Sequence, residues 1–597
     1  MTKLFVFYLI TLAFLSKCLA SNNIILYLDS ENKLQGEHGK TTTEKSLKLN
    51  FYEDCIDKVL SNCTSKTKDN VYYLRYFSQS NKQECKNFEH VAQSTNNVLQ
   101  FCIDMENSSW YGGAETTFQH WPLNKLNWTD IPYLTRELGS QAIAESYFFN
   151  SDGFYIHIDE SVALFVDING PRPGQMCFTA KVVAPYRKVR NIMQYQICKY
   201  KNPREAHERA IKDILGMPTS IPDPYIIKYP IWSTWARYKV DVNTSSVQNF
   251  AQEIIDHGFP RELNGFKTSL WTHPFINLEC PRHDIAKTKG YFVKSTSNKI
   301  NTTWWNGIGS YIDFTNPEAA AWWSNALRNL LAISGIDTFK FDAGESSWSP
   351  QLPIFHDNNL TYYPDNIVNA YLKTITSFGN GIEYRVSRRS QRFGRLLRMM
   401  DRNSRWDFQL GLPTLITCLI QLNMIGYPFV LPDMIGGNGY DNLPPSKEMY
   451  IRWMQANVFM PVVQFSYTPW DFNQQTVDIC RNLINIRANY TDTIIELMRS
   501  SVSKGAPLNP PVWWIDPTDP VAQVIADEYL LGENILVAPV IVKGAKFRDI
   551  YLPSGLWRDE NHPNSHLITG RKWLRNYPAK LDILPWFTRV SPGHHTF

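Results

Sequence analysis

The sequence predicts a multidomain protein built on a (β/α)8-type barrel with a β-sandwich domain on either side. Three observations lead there. At 597 residues the chain is too long for one hydrophobic core, since domains run to ~100–200 residues. Residues 226–488 alternate short apolar strands with helical stretches, the rhythm of parallel strands joined by helical crossovers. On both sides of that block the rhythm shifts to period-two alternation, which marks half-buried strands.

Taken in order, the chain opens on a secretory signal pattern over residues 1–20. Lys3 precedes an uncharged, mostly apolar run over 4–15, and the small-residue site Cys18-Leu19-Ala20 follows. That run is short of the ~20 residues a helix needs to cross a bilayer, so cleavage is expected, with membrane attachment only if the segment is retained. The mature chain is then luminal (endoplasmic reticulum, Golgi or lysosome) or secreted. Seven N-x-[S/T] sequons, at Asn62, Asn107, Asn127, Asn243, Asn301, Asn359 and Asn489, agree with that compartment. Of ten cysteines, loss of Cys18 leaves nine. Cys55, Cys63, Cys85 and Cys102 cluster, so disulfides are expected there, and Cys418, on an apolar helical stretch, is the candidate for the unpaired thiol.

Residues 21–225 form the first sandwich. The run Phe154-Tyr155-Ile156-His157-Ile158, a polar turn, and Val162-Ala163-Leu164-Phe165-Val166 read as a hairpin. Three prolines between Met217 and Pro224 place the boundary near 225. Barrel strands are expected at 229–233, 266–275, 338–341, 383–387, 396–400, 429–431 and 462–465, with helices such as 246–256, 317–332 and 414–424 between them. Only seven strands are visible. Residues 489–597 return to strand rhythm, at 521–529, 534–542 and 547–551, and form the second sandwich.

Composition narrows the function classes. A formal net charge of +4 is small for this length, so nucleic acid is not the expected partner. The 19 Trp, 30 Tyr and 32 Phe could supply flat faces for sugars or fill large cores. No C-x-x-C or H-x-x-x-H pair suggests a metal, and no cofactor is expected.

A barrel does its chemistry at the C-terminal ends of its strands. Three strands there end in aspartate: Lys340-Phe341-Asp342, Met399-Met400-Asp401 and Leu431-Pro432-Asp433. Such a set contains the carboxylate pair that glycosidic cleavage requires. Each aspartate could equally cap the helix that follows, which is the commoner use of a single one. Lys340 shares the interior face with Asp342 if the strand alternates, and its charge would keep that carboxylate ionised. Seven arginines between Arg385 and Arg402 could bind a polyanion, but the run crosses two predicted strands, so solvation or pairing with rim carboxylates is expected instead. Trp110, Trp232, Trp235 and Trp271 could stack on substrate, with Trp232 and Trp271 favoured because each lies late in a predicted strand.

These motifs occur in a characteristic order: Trp110-Tyr111-Gly112-Gly113-Ala114-Glu115, Trp232-Ser233-Thr234-Trp235, Leu270-Trp271-Thr272-His273-Pro274, Lys340-Phe341-Asp342-Ala343-Gly344-Glu345, Asp401 with Trp406, Asp433-Met434-Ile435-Gly436-Gly437, and Leu531-Gly532-Glu533-Asn534. In that order the chain resembles glycoside hydrolase family 31, and most closely its myogenesis-regulating glycosidase-like branch. The resemblance implies a retaining α-glycosidase of glucosidase or galactosidase type acting on a terminal hexose, with Asp342 as nucleophile and Asp401 as acid/base of higher pKa. It places Lys340 and Arg385 against the sugar and Asp433 in the pocket. It also implies that the barrel lacks its second βα unit: residues 256–266 pass from the first helix straight into the third strand, where the family has a strand, a loop and a helix. A catalytically impaired sugar- or glycoprotein-binding homologue is the alternative. Neither sugar identity nor self-association follows from the sequence.

Overall fold

The computed structural model describes residues 84–261 and 265–590, together with the backbone of five strands, Ile24–Leu28, Leu34–Gly36, Leu47–Phe51, Cys63–Lys66 and Val71–Phe77. The signal segment and the Cys55 and Cys63 side chains lie outside the described residues.

Strand alternation in the N-terminal block folds into two seven-stranded antiparallel sheets. Their inner faces share a core that includes Phe101, Phe148, Ile156, Val166 and Phe178. The expected hairpin does not form. Phe154–Ile158 pairs with Ala144–Asn150 and Ile192–Lys199 in one sheet, whereas Leu164–Ile168 pairs with Gln175–Ala180 and Trp128–Pro132 in the other. Alternation is the same in a hairpin and in an arch between two sheets, so the choice falls to the strands' other partners. Cysteine pairing follows the sheets as well. Cys85 is bonded to Cys198 and Cys102 to Cys177, each across adjacent strands rather than within the N-terminal cluster. Three described cysteines are free, Cys418 among them with Cys280 and Cys480.

All seven expected barrel strands form, most of them shorter than the sequence suggests. Ser269–Thr272, Thr338–Phe341, Glu383–Tyr384, Leu396–Arg398 and Val430–Leu431 make one parallel sheet in chain order. Ile231–Trp232 pairs in parallel with Gln464–Phe465, and Ile435 N–H donates to the Gln464 carbonyl at 2.9 Å, which ties that pair to the sheet. Among the described residues no ladder joins Ile231–Trp232 to Ser269–Thr272. At that seam Leu270 and Trp271 are 41% and 39% exposed, unlike the buried strands opposite.

The crossover helices are bounded by local chemistry. Asn243 caps Thr244–Asp256 by accepting from Ser246 N–H, and Pro317–Ser334 starts after the Asn316 cap and stops at left-handed Gly335. The expected boundary at 488/489 is wrong: it cuts the helix Gln474–Lys504, whose buried side Ile494, Ile495 and Met498 continue past 489 until Gly505 ends it. The C-terminal domain holds a five-stranded sheet and a two-stranded ribbon. Its expected strand at 521–529 is a turn over Ala522–Val524, because the Asp519 carboxylate accepts from Val521 N–H, and the strand starts only at Tyr529.

Candidate active site

The strand Thr338–Phe341 delivers Asp342 to the barrel mouth, followed by Ala343 and Gly344, both at positive φ. A Cβ on Gly344 would stand 2.6 Å from the Tyr371 ring, so only glycine lets the chain turn there. Asp401 follows the strand Leu396–Arg398, which is separated from Thr338–Phe341 by Glu383–Tyr384. Its flanks are held from two sides: Glu115 of the N-terminal domain accepts from Met400 N–H at 3.0 Å and from the Arg402 guanidinium at 2.9 Å, and Asp433 accepts from Arg402 N–H at 2.5 Å. The Trp110–Ala114 strand, with its Gly112 pressed against Tyr147, thus ends in a carboxylate that fixes the second aspartate.

One guanidinium spans the pair. Arg398 donates to Asp342 Oδ1 and to Asp401 Oδ1, 2.8 Å each, from different terminal nitrogens. Trp271 Nε1 donates to Asp342 Oδ2 at 2.8 Å, and Arg385 Nε lies 3.3 Å from Asp342 Oδ1. Burial pushes the Asp342 carboxyl up, but Arg398, Arg385, Lys340 and the Trp271 hydrogen bond together hold it well below the usual range. Burial likewise raises Asp401, and Arg398 and Arg385, helped by the Tyr440 hydroxyl that donates to it, bring it below its ordinary value. Both aspartates are therefore ionised at neutral pH in the unliganded protein.

The remaining candidates divide. Lys340 Nζ sits 3.5 Å from Glu383 and adds to the field that ionises Asp342. Arg385 is buried among Asp342, Glu345 and Glu137. Trp271 presents an indole at the mouth beside Trp305, which is 45% exposed and lies under the Arg385 guanidinium. Trp232 is differently placed. Its ring stacks on Phe465 at 4.6 Å and meets Phe250 and Phe259 edge-on, so one of its faces is taken up by aromatic packing within the protein. Trp110 is fully buried in the sandwich. Asp433 is also fully buried; it accepts from Asn438 at 2.6 Å, and burial beside Asp401 raises its carboxyl to about 6. Its other oxygen, Oδ1, is buried without a hydrogen-bond partner among the described residues.

Sequence reasoning passed over Arg398, Glu345, Glu383, Tyr440, Trp305 and Glu137. Arg398 is one of the seven arginines expected to be solvated or paired with rim carboxylates. The pairing holds for Arg385 with Asp342 and for Arg398 with Asp342 and Asp401, and Arg388 pairs with Glu160 and Asp365 and Arg402 with Glu115, but these four are buried instead of solvated. Alternation alone could have turned Arg398 inward, two residues from buried Leu396.

Comparison with known proteins bears on this geometry. The family 31 TIM-barrel domain matches residues 227–497, its C-terminal domain 505–591, and the myogenesis-regulating glycosidase N-terminal domain 80–212. Over 541 residues the chain is 31% identical to the myogenesis-regulating glycosidase of Mus musculus, covering 81% of this chain and 74% of that one. The chain belongs to glycoside hydrolase family 31. A second relative, the SITS-binding protein of Tetronarce californica, is 26% identical over 553 residues, with 85% of this chain and 78% of that one covered. In fold, the chain matches a family 31 sulfoquinovosidase from E. rectale at TM-score 0.71 and 16% identity, over 96% of this chain and 94% of that one.

Proposed function

We propose that this family 31 protein is a retaining α-glycosidase that removes a terminal α-linked hexose, of glucosidase or galactosidase type, from an oligosaccharide or glycoconjugate. The observation that carries the reading is the sharing of one guanidinium by Asp342 and Asp401 at the barrel mouth. That sharing keeps two carboxyls close, as retention at a separation of about 5–5.5 Å requires. Asp342, held anionic, attacks the anomeric carbon and forms a glycosyl-enzyme. Asp401 protonates the departing oxygen and then takes a proton from the hydrolytic water. Since Arg398 keeps Asp401 ionised in the free protein, ligand binding must raise its pKa for the acid step.

The test is labelling with a fluoroglycosyl fluoride, read by mass spectrometry on the Asp342 peptide, alongside a panel of aryl α-glycosides. Asp342→Asn should abolish turnover without unfolding, and Asp401→Ala should spare activated aglycones. Equal loss on activated and unactivated aglycones removes Asp401 from its role.

A second reading is a glycosidase scaffold that binds a sugar or glycoprotein without turnover. It is favoured by the exposed seam beside Ser269–Thr272, which we read as the absent second βα unit, and by a relative named for binding. Trapping of no label while sugars still bind would select it.

We further propose residence in the secretory pathway or outside the cell. Two disulfides support an oxidising compartment, and the asparagines of the six described sequons are all exposed, as glycosylation requires.

A further inference from the structure

Residues 136–141 of the N-terminal domain form a tight hairpin that reaches into the barrel mouth. Arg136 and Gln141 bridge its base, and Leu138 at its tip is 77% exposed. The hairpin is bolted to the barrel. Thr135 and Ser346 hydroxyls both donate to Asp365 Oδ1, at 2.8 and 2.7 Å, and Glu137 N–H donates to the Ser347 hydroxyl at 3.2 Å. This fixes the Glu137 side chain, one-third exposed, against the Arg385 guanidinium, whose other ionic partners are Glu345 and Asp342.

The charges there do not balance. The carboxyls Glu137, Asp342, Glu345, Glu383 and Asp401 are bridged by only Arg385, Arg398 and Lys340. Lys239 is turned to the rings of Trp235 and Tyr440 and donates to the Asn438 carbonyl. Like charges crowded in a poorly solvated site cannot all ionise, so a proton is retained by the group with least compensation. Asp342 and Asp401 share Arg398, Glu383 lies between Lys340 and Arg398, and Glu345 accepts from Trp348 Nε1 at 2.9 Å besides pairing with Arg385, whereas Glu137 has only that already committed guanidinium.

We propose that Glu137 is a substrate-binding residue of this site and works as the neutral acid, donating one hydrogen bond to a sugar hydroxyl while its carbonyl oxygen accepts another. This rests on the glycosidase reading above. Burial, with Glu345, Asp401 and Asp342 nearby, raises the Glu137 carboxyl to about 8 against the pull of Arg385. Above that pH the proton passes to solvent, the donor is lost, and a further negative charge faces Asp342 and Asp401. Ligand affinity then falls as pH rises.

The test uses aryl 1-thio-α-glycosides of glucose, galactose and xylose, which are neutral and bind without being cleaved, titrated into the full chain between pH 6 and 10. For the wild type, Kd should rise towards tenfold per pH unit above about pH 8. Glu137→Gln, which keeps a donor and an acceptor but cannot ionise, should lose that alkaline limb. Glu137→Ala should weaken binding several-fold already at pH 7. Parallel limbs for wild type and Glu137→Gln, or wild-type affinity in Glu137→Ala, overturn the proposal. Melting curves identify an unfolded Ala variant, and the Gln variant then decides alone. A wild type that traps the fluoroglycosyl label while its Kd ignores Glu137 leaves the glycosidase reading standing. A wild type that neither traps label nor binds any thioglycoside removes both.

Discussion

Arg398 is the residue on which the chemistry turns, because one buried cation stabilises the ionised form of both candidate aspartates. Its guanidinium favours the carboxylate of Asp342 over the acid, as an adjacent arginine commonly does by about 1–3 pKa units. Removing it by Arg398→Gln lets that pKa rise. The acid limb of glycosylation, which needs Asp342 as the anion, should then move to higher pH by roughly that amount. The rate of fluoroglycosyl labelling against pH measures it without requiring Asp401 as acid. A limb that stays in place would assign control of Asp342 to Arg385 and Lys340 instead.

At the scale of elements, the end of the Trp110–Ala114 strand and the end of Leu396–Arg398 meet through one ion pair. Glu115 and Arg402 are both fully buried, and Glu115 also holds Met400 N–H. Breaking a buried pair leaves an uncompensated charge, at a cost of about 3–5 kcal/mol. Glu115→Ala should therefore lower the first urea unfolding midpoint and slacken Asp401 together, read as lost hydrolysis of unactivated glycosides. An unchanged midpoint would show that the hairpin contacts of Thr135 and Glu137 with the barrel carry the joint instead. The seam makes a separate demand. Ser269–Thr272 has a ladder partner on one side, Thr338–Phe341, which is itself paired on both sides. Amides facing an unpaired edge open and exchange more readily. Hydrogen exchange followed by mass spectrometry should show faster labelling at 269–272 than at 338–341. Equal protection would mean that another backbone covers the seam.

For the whole molecule, buried titratable groups set a stability window in pH. Burial raises Glu145 to about 7 and Glu528 to about 8, and the crowded Glu137 also reaches about 8. A carboxyl whose folded pKa is raised contributes stability that is complete below its unfolded value near 4.5 and is lost as pH climbs through 7 to 8. Burial lowers His90 and His207 to about 3, and these contribute stability above 6.5 that is lost as pH falls towards 3. Between 4.5 and 6.5 the two sets oppose each other and largely cancel. The melting temperature should form a plateau there, falling on the alkaline side to pH 8 and on the acid side below 4.5, which differential scanning fluorimetry would trace. A midpoint still rising from pH 6.5 to 8 would contradict these buried acids.

The chain's own order of residues determined the barrel and the two aspartates, because strand length, alternation and the Lys340-Phe341-Asp342-Ala343-Gly344-Glu345 motif are local patterns. The strand at 338–341 and the start of Pro317–Ser334, where asparagine and proline set the cap, were both legible to the residue. Other features depend on what lies opposite in space. Whether Phe154–Ile158 turns back on Leu164–Ile168 or crosses to the other sheet depends on partners far along the chain. Trp232 and Trp271 look alike in sequence, yet one stacks on Phe465 and the other holds Asp342. Arg398 and Glu137 lie 261 positions apart and enter the same site from different domains. Electrostatic energy depends on distance and burial, so only tertiary structure decided which arginine bridges the pair and which carboxyl keeps its proton.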